Sequence, residues 1–333
     1  MAEHDCLNCR YVLCTNLGLS LKDRGGELWV LQYTVRERRW PPCGFGILLH
    51  ALCRCLLQLL DLDQRRARPP VPPALFPLLG QALRDLKAAA FLALCGHYRS
   101  ALQVLRPVLE GYLAAIYFVV RQEAVLAEVQ HEPPRKRQQV LEEFWEEVER
   151  WLPGGHVGVA LVPEEELRAL RRHGVDWREV SRFGGAFVLV WLERGGLEER
   201  IPPMRRRVLQ RYHILPVKEE LRALKRLKHR LDRTLHPNPQ SLEPLHPGCP
   251  LCHAVVVFNE VELQQVLEVY QEVCARMLHL LLGLVELYFP EEFDQLRQEV
   301  RRHLRALQKS GEYVKRELVL APKLRGLLVE LGV

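Results

Sequence analysis

Cys6-Leu7-Asn8-Cys9 and Cys249-Pro250-Leu251-Cys252-His253 each carry the spacing of half a tetrahedral zinc site. Joined, the thiolates of Cys6, Cys9, Cys249 and Cys252 would close a structural zinc centre with no open coordination position, stapling the N-terminal region to a Pro-rich loop. Cys14, His4, His246 and His253 are substitute ligands. Free thiols and an iron–sulfur cluster are the competing readings of the same spacing. Covalent haem at Cys-x-x-Cys-His needs export, and MAEHDCLNCRYVLC at the N-terminus shows no basic region followed by an apolar core and cleavage site. The remaining cysteines (Cys14, Cys43, Cys53, Cys55, Cys95 and Cys274) sit mainly beside apolar residues and read as small core hydrophobes.

Anion chemistry is concentrated elsewhere. Between Arg200 and Arg233 stand twelve Lys and Arg against Glu219, Glu220 and Asp232, in a chain whose net charge is only +6, so the remainder is slightly acidic. Such asymmetry favours a polyanion, because neutralised phosphates release counterions and give sequence-independent affinity. The candidate contacts are Arg205, Arg206, Arg207, Arg211, Arg222, Lys225, Arg226 and His229. The alternative is a solvated face paired with acidic helices such as the one carrying Glu142 to Glu149. A second feature is a polar stripe in an otherwise apolar helix. Arg99, Gln103, Arg106, Glu110, Tyr117 and Arg121 fall on one face at 3.6 residues per turn, with Arg106 and Glu110 spaced to pair. Either this is the solvent side of the helix, or it lines an anion-binding cleft with Arg106 positioned by Glu110.

The elements that must position these residues are almost all helical. The periodicity predicts helices over Gly44 to Leu62, Ala74 to Leu94 and His97 to about Val129, with a break at Gly96. An amphipathic helix follows over Arg135 to Leu152. A further helical segment, Arg178 to Gly196, is interrupted by Gly184-Gly185, and the basic stretch forms two helices broken at His213 to Pro216. Beyond a Pro-rich loop over His236 to His253, a long helix runs from Phe258 to Phe289 with Asn259 as its N-cap. Amphipathic segments over Glu291 to Lys309 and up to Leu331 finish the chain. Residues 1–43 are irregular, with Glu27 to Trp40 alternating as a strand. The fold class expected is predominantly α, divided into 1–43, a core over 44–290 with an insertion at 134–203, and C-terminal helices over 291–333.

The second basic helix has an apolar seam of Leu221, Leu224, Leu227, Leu231 and Leu235, and Pro237 disfavours helix at His236. Arg230 and Arg233 therefore lie in its last turns and His236 at its exit. Arg230 and His236, five residues between them, resemble the R-x(4–6)-H motif of the HEPN superfamily, small helical bundles. GHYRSALQVLRPVLEGY, with Arg106 and Glu110 as R-x-x-x-E, is similar to a helix of HEPN-like families linked to phage defence and abortive infection. The order of elements agrees over roughly residues 74–290. The resemblance implies metal-independent RNA cleavage by the Arg…His pair, with no cofactor needed for catalysis, and a homodimer with the site at its interface. His236 would move the proton of the 2′-hydroxyl or the leaving group, and an arginine fork would hold the scissile phosphate. Leu231 departs from the polar residue the family often has after its motif arginine, and Arg233 is the alternative to Arg230. Without the resemblance, Arg230 is a solvated charge and His236 a helix C-terminal cap.

With 48% hydrophobic and 26% charged residues over 333 positions, the chain is neither disordered nor fibrous. No Walker loop, G-x-G-x-x-G or G-x-S-x-G elbow is present, so nucleotide hydrolysis and serine hydrolase chemistry lack support. Gly44 to Leu60, Ala101 to Val120 and Met277 to Phe289 are apolar, but internal charges or short length make them buried helices of a cytoplasmic protein rather than membrane spans.

Overall fold

The computed structural model of the chain describes residues 43–66, 70–72, 75–151, 185–195, 198–235, 260–313 and 320–333. These residues are predominantly helical. The expected N-terminal strand and the loop from His236 to His253 lie outside them.

The helices are α1 (Cys43–Gln64), α2 (Leu75–Leu94), α3 (Tyr98–Glu128), α4 (Pro134–Trp151), α5 (Gly185–Glu193), α6 (Pro203–Arg211), α7 (Lys218–Leu235), α8 (Glu260–Tyr288), α9 (Phe293–Tyr313) and α10 (Pro322–Leu331). Apart from α5, whose expected segment extends back beyond the described residues, their bounds fall within a few residues of those the periodicity predicts. Gly96 ends α2 with φ 87, a left-handed conformation that glycine adopts without a Cβ clash, and His97 N–H reaches back to the Leu92 carbonyl at 2.8 Å. The chain thereby folds α3 back along α2 as a helical hairpin.

α8 is the axis of the bundle. It packs against α1, α2, α3, α6, α9 and α10, and nearly every side chain from Val266 to Val285 is buried. At roughly 1.5–3 kcal/mol for each large apolar side chain removed from water, this one helix organises a large part of the hydrophobic stabilisation. α1 and α9 run antiparallel across the other side: Arg54 Nε bonds Glu299 at 3.1 Å, and the His50 and His303 rings lie 4.9 Å apart. Cys55, Cys95 and Cys274 are buried and Cys53 half-buried, as small core hydrophobes are.

Two helices, Gly44–Gln64 and Tyr98–Glu128, are long and apolar enough to cross a membrane by length and composition. Of those apolar stretches 61% and 67% are packed inside the bundle.

α7 enters on a tight turn. His213 takes φ 55, Ile214 and Leu215 tuck under the end of α6, and Gly283 of α8 lets the turn approach. A Cβ at Gly283 would lie 2.7 Å from Ile214 Cδ1 and 2.9 Å from Tyr212 Cβ, so glycine there sets how deeply the turn seats.

Candidate nucleic-acid interface

α7 is amphipathic, and its two sides have different fates. Leu221, Leu224, Leu227 and Leu231 are buried against α3 and α5. Glu219 and Glu220 stand in its first turn, where acidic groups complement the helix dipole. The opposite side carries Arg222, Arg226, His229 and Arg233, all exposed.

The polar stripe of α3 is exposed at Arg99, partly covered from Gln103 to Glu110 and buried at Tyr117. It is the rail on which the C-terminal end of α7 rests. Arg99 Nε and Gln103 Nε2 each donate to the Thr234 carbonyl at 3.1 Å, supplying donors to the orphan end of the helix. Arg106 Nε donates to Asp232 Oδ1 at 2.8 Å, and its Nη2 lies 3.2 Å from Glu110 Oε1. The expected pairing of Arg106 with Glu110 is therefore formed, with Asp232 as a third member. Lys228, whose side chain is 7% exposed, completes the group by donating to Asp232 Oδ2 at 2.7 Å. Burial disfavours the Asp232 charge, but the Lys228 and Arg106 bonds outweigh it and hold the carboxyl below its ordinary value. Farther along the stripe, the Tyr117 ring meets Trp191 edge-on at 4.9 Å, and Arg121 lies 5.7 Å over the Phe144 ring.

The candidate arginines at the helix exit separate. Arg230 turns toward α8, with Nη1 3.2 Å from Glu268 Oε2 and Nη2 3.4 Å from the Gln265 carbonyl. Arg233 stays on the outward side and makes no ion pair among the described residues. His236, and the four cysteines of the expected zinc centre (Cys6, Cys9, Cys249 and Cys252), lie outside the described residues. Within those residues no group of three or more His, Cys, Asp or Glu side chains is arranged to hold a metal.

The basic stretch divides in the same way. Arg205 forms a bidentate pair with Glu123, a side chain with no exposure, through Nε to Oε2 and through Nη2 to Oε1 at 2.9 Å. Its guanidinium also lies 5.5 Å over the Tyr288 ring, whose hydroxyl donates to the same carboxylate at 2.8 Å. Arg206 donates to the Ile201 carbonyl at 3.0 Å, Arg211 to Glu286 at 2.6 Å, and Lys225 to Glu193 of α5 at 2.6 Å. Arg207, Arg222, Arg226 and His229 are exposed, and none of them makes an ion pair among the described residues.

A second charged cluster fastens the other end of α7. Arg276 of α8, 1% exposed, pairs with Glu220 and with Glu272, the latter at 2.6 Å. Lys323 of α10 reaches Glu220 at 3.1 Å. His279 places Nδ1 2.9 Å from the Ala275 carbonyl and Nε2 3.2 Å from Glu330, and the His213 ring meets it edge-on at 5.2 Å. Burial first, then the charge of Lys323, lowers the His213 pKa to about 4. The cluster joins α7, α8 and α10.

Sequence reasoning missed Asp232, Lys228, Glu123 and Arg276. Each is a charge on the apolar flank of a helix, and that misplacement is the signal by which pattern alone can find such residues. Comparison with known proteins finds no match to a family model, a curated protein or a solved structure.

Proposed function

We propose that the protein binds RNA through the outward side of α7. The observation that carries this is the row Arg222, Arg226, His229 and Arg233, exposed and without acidic partners among the described residues, while neighbouring cations at Arg205, Arg211 and Lys225 are neutralised by Glu123, Glu286 and Glu193. A face whose charge is left uncompensated favours a polyanion, and phosphate contact supplies affinity through counterion release. The packing of the Arg106/Glu110 element against the helix that ends at Leu235 is compatible with the HEPN-like reading, and that resemblance implies a cytoplasmic role of the defence or toxin type.

The test is retention of total RNA by the full chain at low and moderate salt, beside an Arg222→Glu/Arg226→Glu/Arg233→Glu variant. The expected result is salt-sensitive retention that the variant loses. Retention by neither protein at low salt rules the proposal out.

A second reading adds cleavage at the C-terminal end of α7, and the position of Arg233 favours it. Arg230 is engaged by Glu268, so the free fork nearest to His236 in the sequence is Arg233. In this reading Arg233 holds the scissile phosphate and His236 transfers the proton. Incubation with RNA in excess chelator yields fragments from the native chain and none from His236→Ala. Intact RNA in both lanes leaves a binding protein without the activity.

A further inference from the structure

We infer that the α7 row holds the sugar–phosphate backbone of a single RNA strand and reads no bases, an inference that rests on the RNA-binding proposal above. At 3.6 residues per turn, positions 222, 226, 229 and 233 fall within a sector of about 60°, centred opposite the buried leucine seam. Their axial span is about 16 Å at 1.5 Å per residue. Lys218 extends the row at its N-terminal end, with the exposed Glu219 on one flank and Glu193, held by Lys225, on the other.

The row is one cation wide, which matches one strand and not two. Recognition of duplex RNA by shape spans about 16 base pairs, far more than this row covers, and the A-form major groove is too narrow for a helix to enter. On a duplex the guanidiniums would therefore have phosphates in reach and base edges out of reach. On a single strand, neutralisation of phosphates by such a row is independent of sequence. Lys225, the basic side chain nearest the row on its other flank, is held by Glu193 at 2.6 Å and does not widen it. The contact is a ladder of charge, indifferent to sequence.

The experiment measures binding of the full chain to 2′-O-methyl oligonucleotides of about 12 residues, a length suited to one single-strand site. The blocked 2′-hydroxyl keeps the phosphates and removes the nucleophile, so cleavage cannot distort the titration. All-U, all-A and all-C strands bind within about threefold of one another, as contact through phosphates requires. Four fixed cations (Lys218, Arg222, Arg226 and Arg233) give a log–log salt slope of about −2.8, a loss of about 50-fold between 50 and 200 mM salt. Arg222→Gln/Arg226→Gln halves the slope, leaving a loss of about sevenfold over the same range. Arg325→Gln, an exposed arginine of α10 outside the row, keeps the native slope. A preference of about tenfold or more for one base, tighter binding of the matching duplex, or a native slope in the double variant overturns the inference while RNA binding stands. Failure of every strand to bind at 50 mM salt overturns the RNA-binding proposal itself, and this inference with it.

Discussion

Arg205 and Arg226 carry the same charge in the same stretch of sequence, yet their surroundings assign them different work. Arg205 neutralises a carboxylate that has no contact with water, and breaking such a pair strands the buried partner. Arg205→Ala is expected to lower unfolding stability by about 3 kcal/mol, read from urea denaturation, because Glu123 then keeps only the Tyr288 hydroxyl. Arg226 stands in solvent, and Arg226→Ala is expected to change stability by no more than about 0.5 kcal/mol while weakening RNA retention. If the two variants prove equally stable, Glu123 is not dependent on Arg205. A count of basic residues gave both arginines the same reading, because the acid that claims Arg205 lies 82 positions away on another helix.

At the scale of elements, α7 is held at both ends by polar contacts and along its length by leucines. Its C-terminal carbonyl at Thr234 takes bonds from Arg99 and Gln103, each worth about 1 kcal/mol net. Arg99→Ala/Gln103→Ala is expected to lose about 1–2 kcal/mol and to speed amide hydrogen exchange over the last turn of α7. Its N-terminal end depends on the cluster of Glu220, Arg276, Lys323, His279, Glu330 and His213. With a folded-state pKa near 4 against an ordinary 6.5, His213 leaves the unfolded chain binding the extra proton between those values. The His213 contribution is full above about pH 6.5 and is lost as pH falls toward 4. The urea midpoint is expected to drop from pH 7 to pH 5, with most of the drop removed in His213→Asn. Asparagine is chosen because it tolerates the positive φ at this position. An identical drop in both proteins would place the acid sensitivity elsewhere.

The helices of α3, α7, α8 and α9 were legible from the 3.6-residue spacing of their leucines, and so was the pairing of Arg106 with Glu110, a contact within one helix. What pattern could not supply was the partner across helices. The α3 stripe reads equally well as a wet face or a cleft wall until Asp232 and Thr234 are placed against it. Arg230 looks free on its own helix, and only the approach of α8 brings Glu268 to it.

For the molecule as a whole, the joining of α1 to α9 makes the first and next-to-last described helices one packing unit. Deleting residues 293–333 is expected to expose the faces of α1 and α8 that α9 and α10 cover, giving an aggregating product by size-exclusion chromatography. A monomeric, cooperatively unfolding truncation would show that the remaining helices suffice. The Arg54–Glu299 contact closes a loop of 245 positions. On a ribosome adding about 5–20 residues each second, α1 therefore waits about 12–50 s for the α9 surface that covers part of it. During that interval the leucines that α9 will cover are accessible to chaperones, so translation speed and holdase supply are expected to influence how much of the newly made chain reaches its native state.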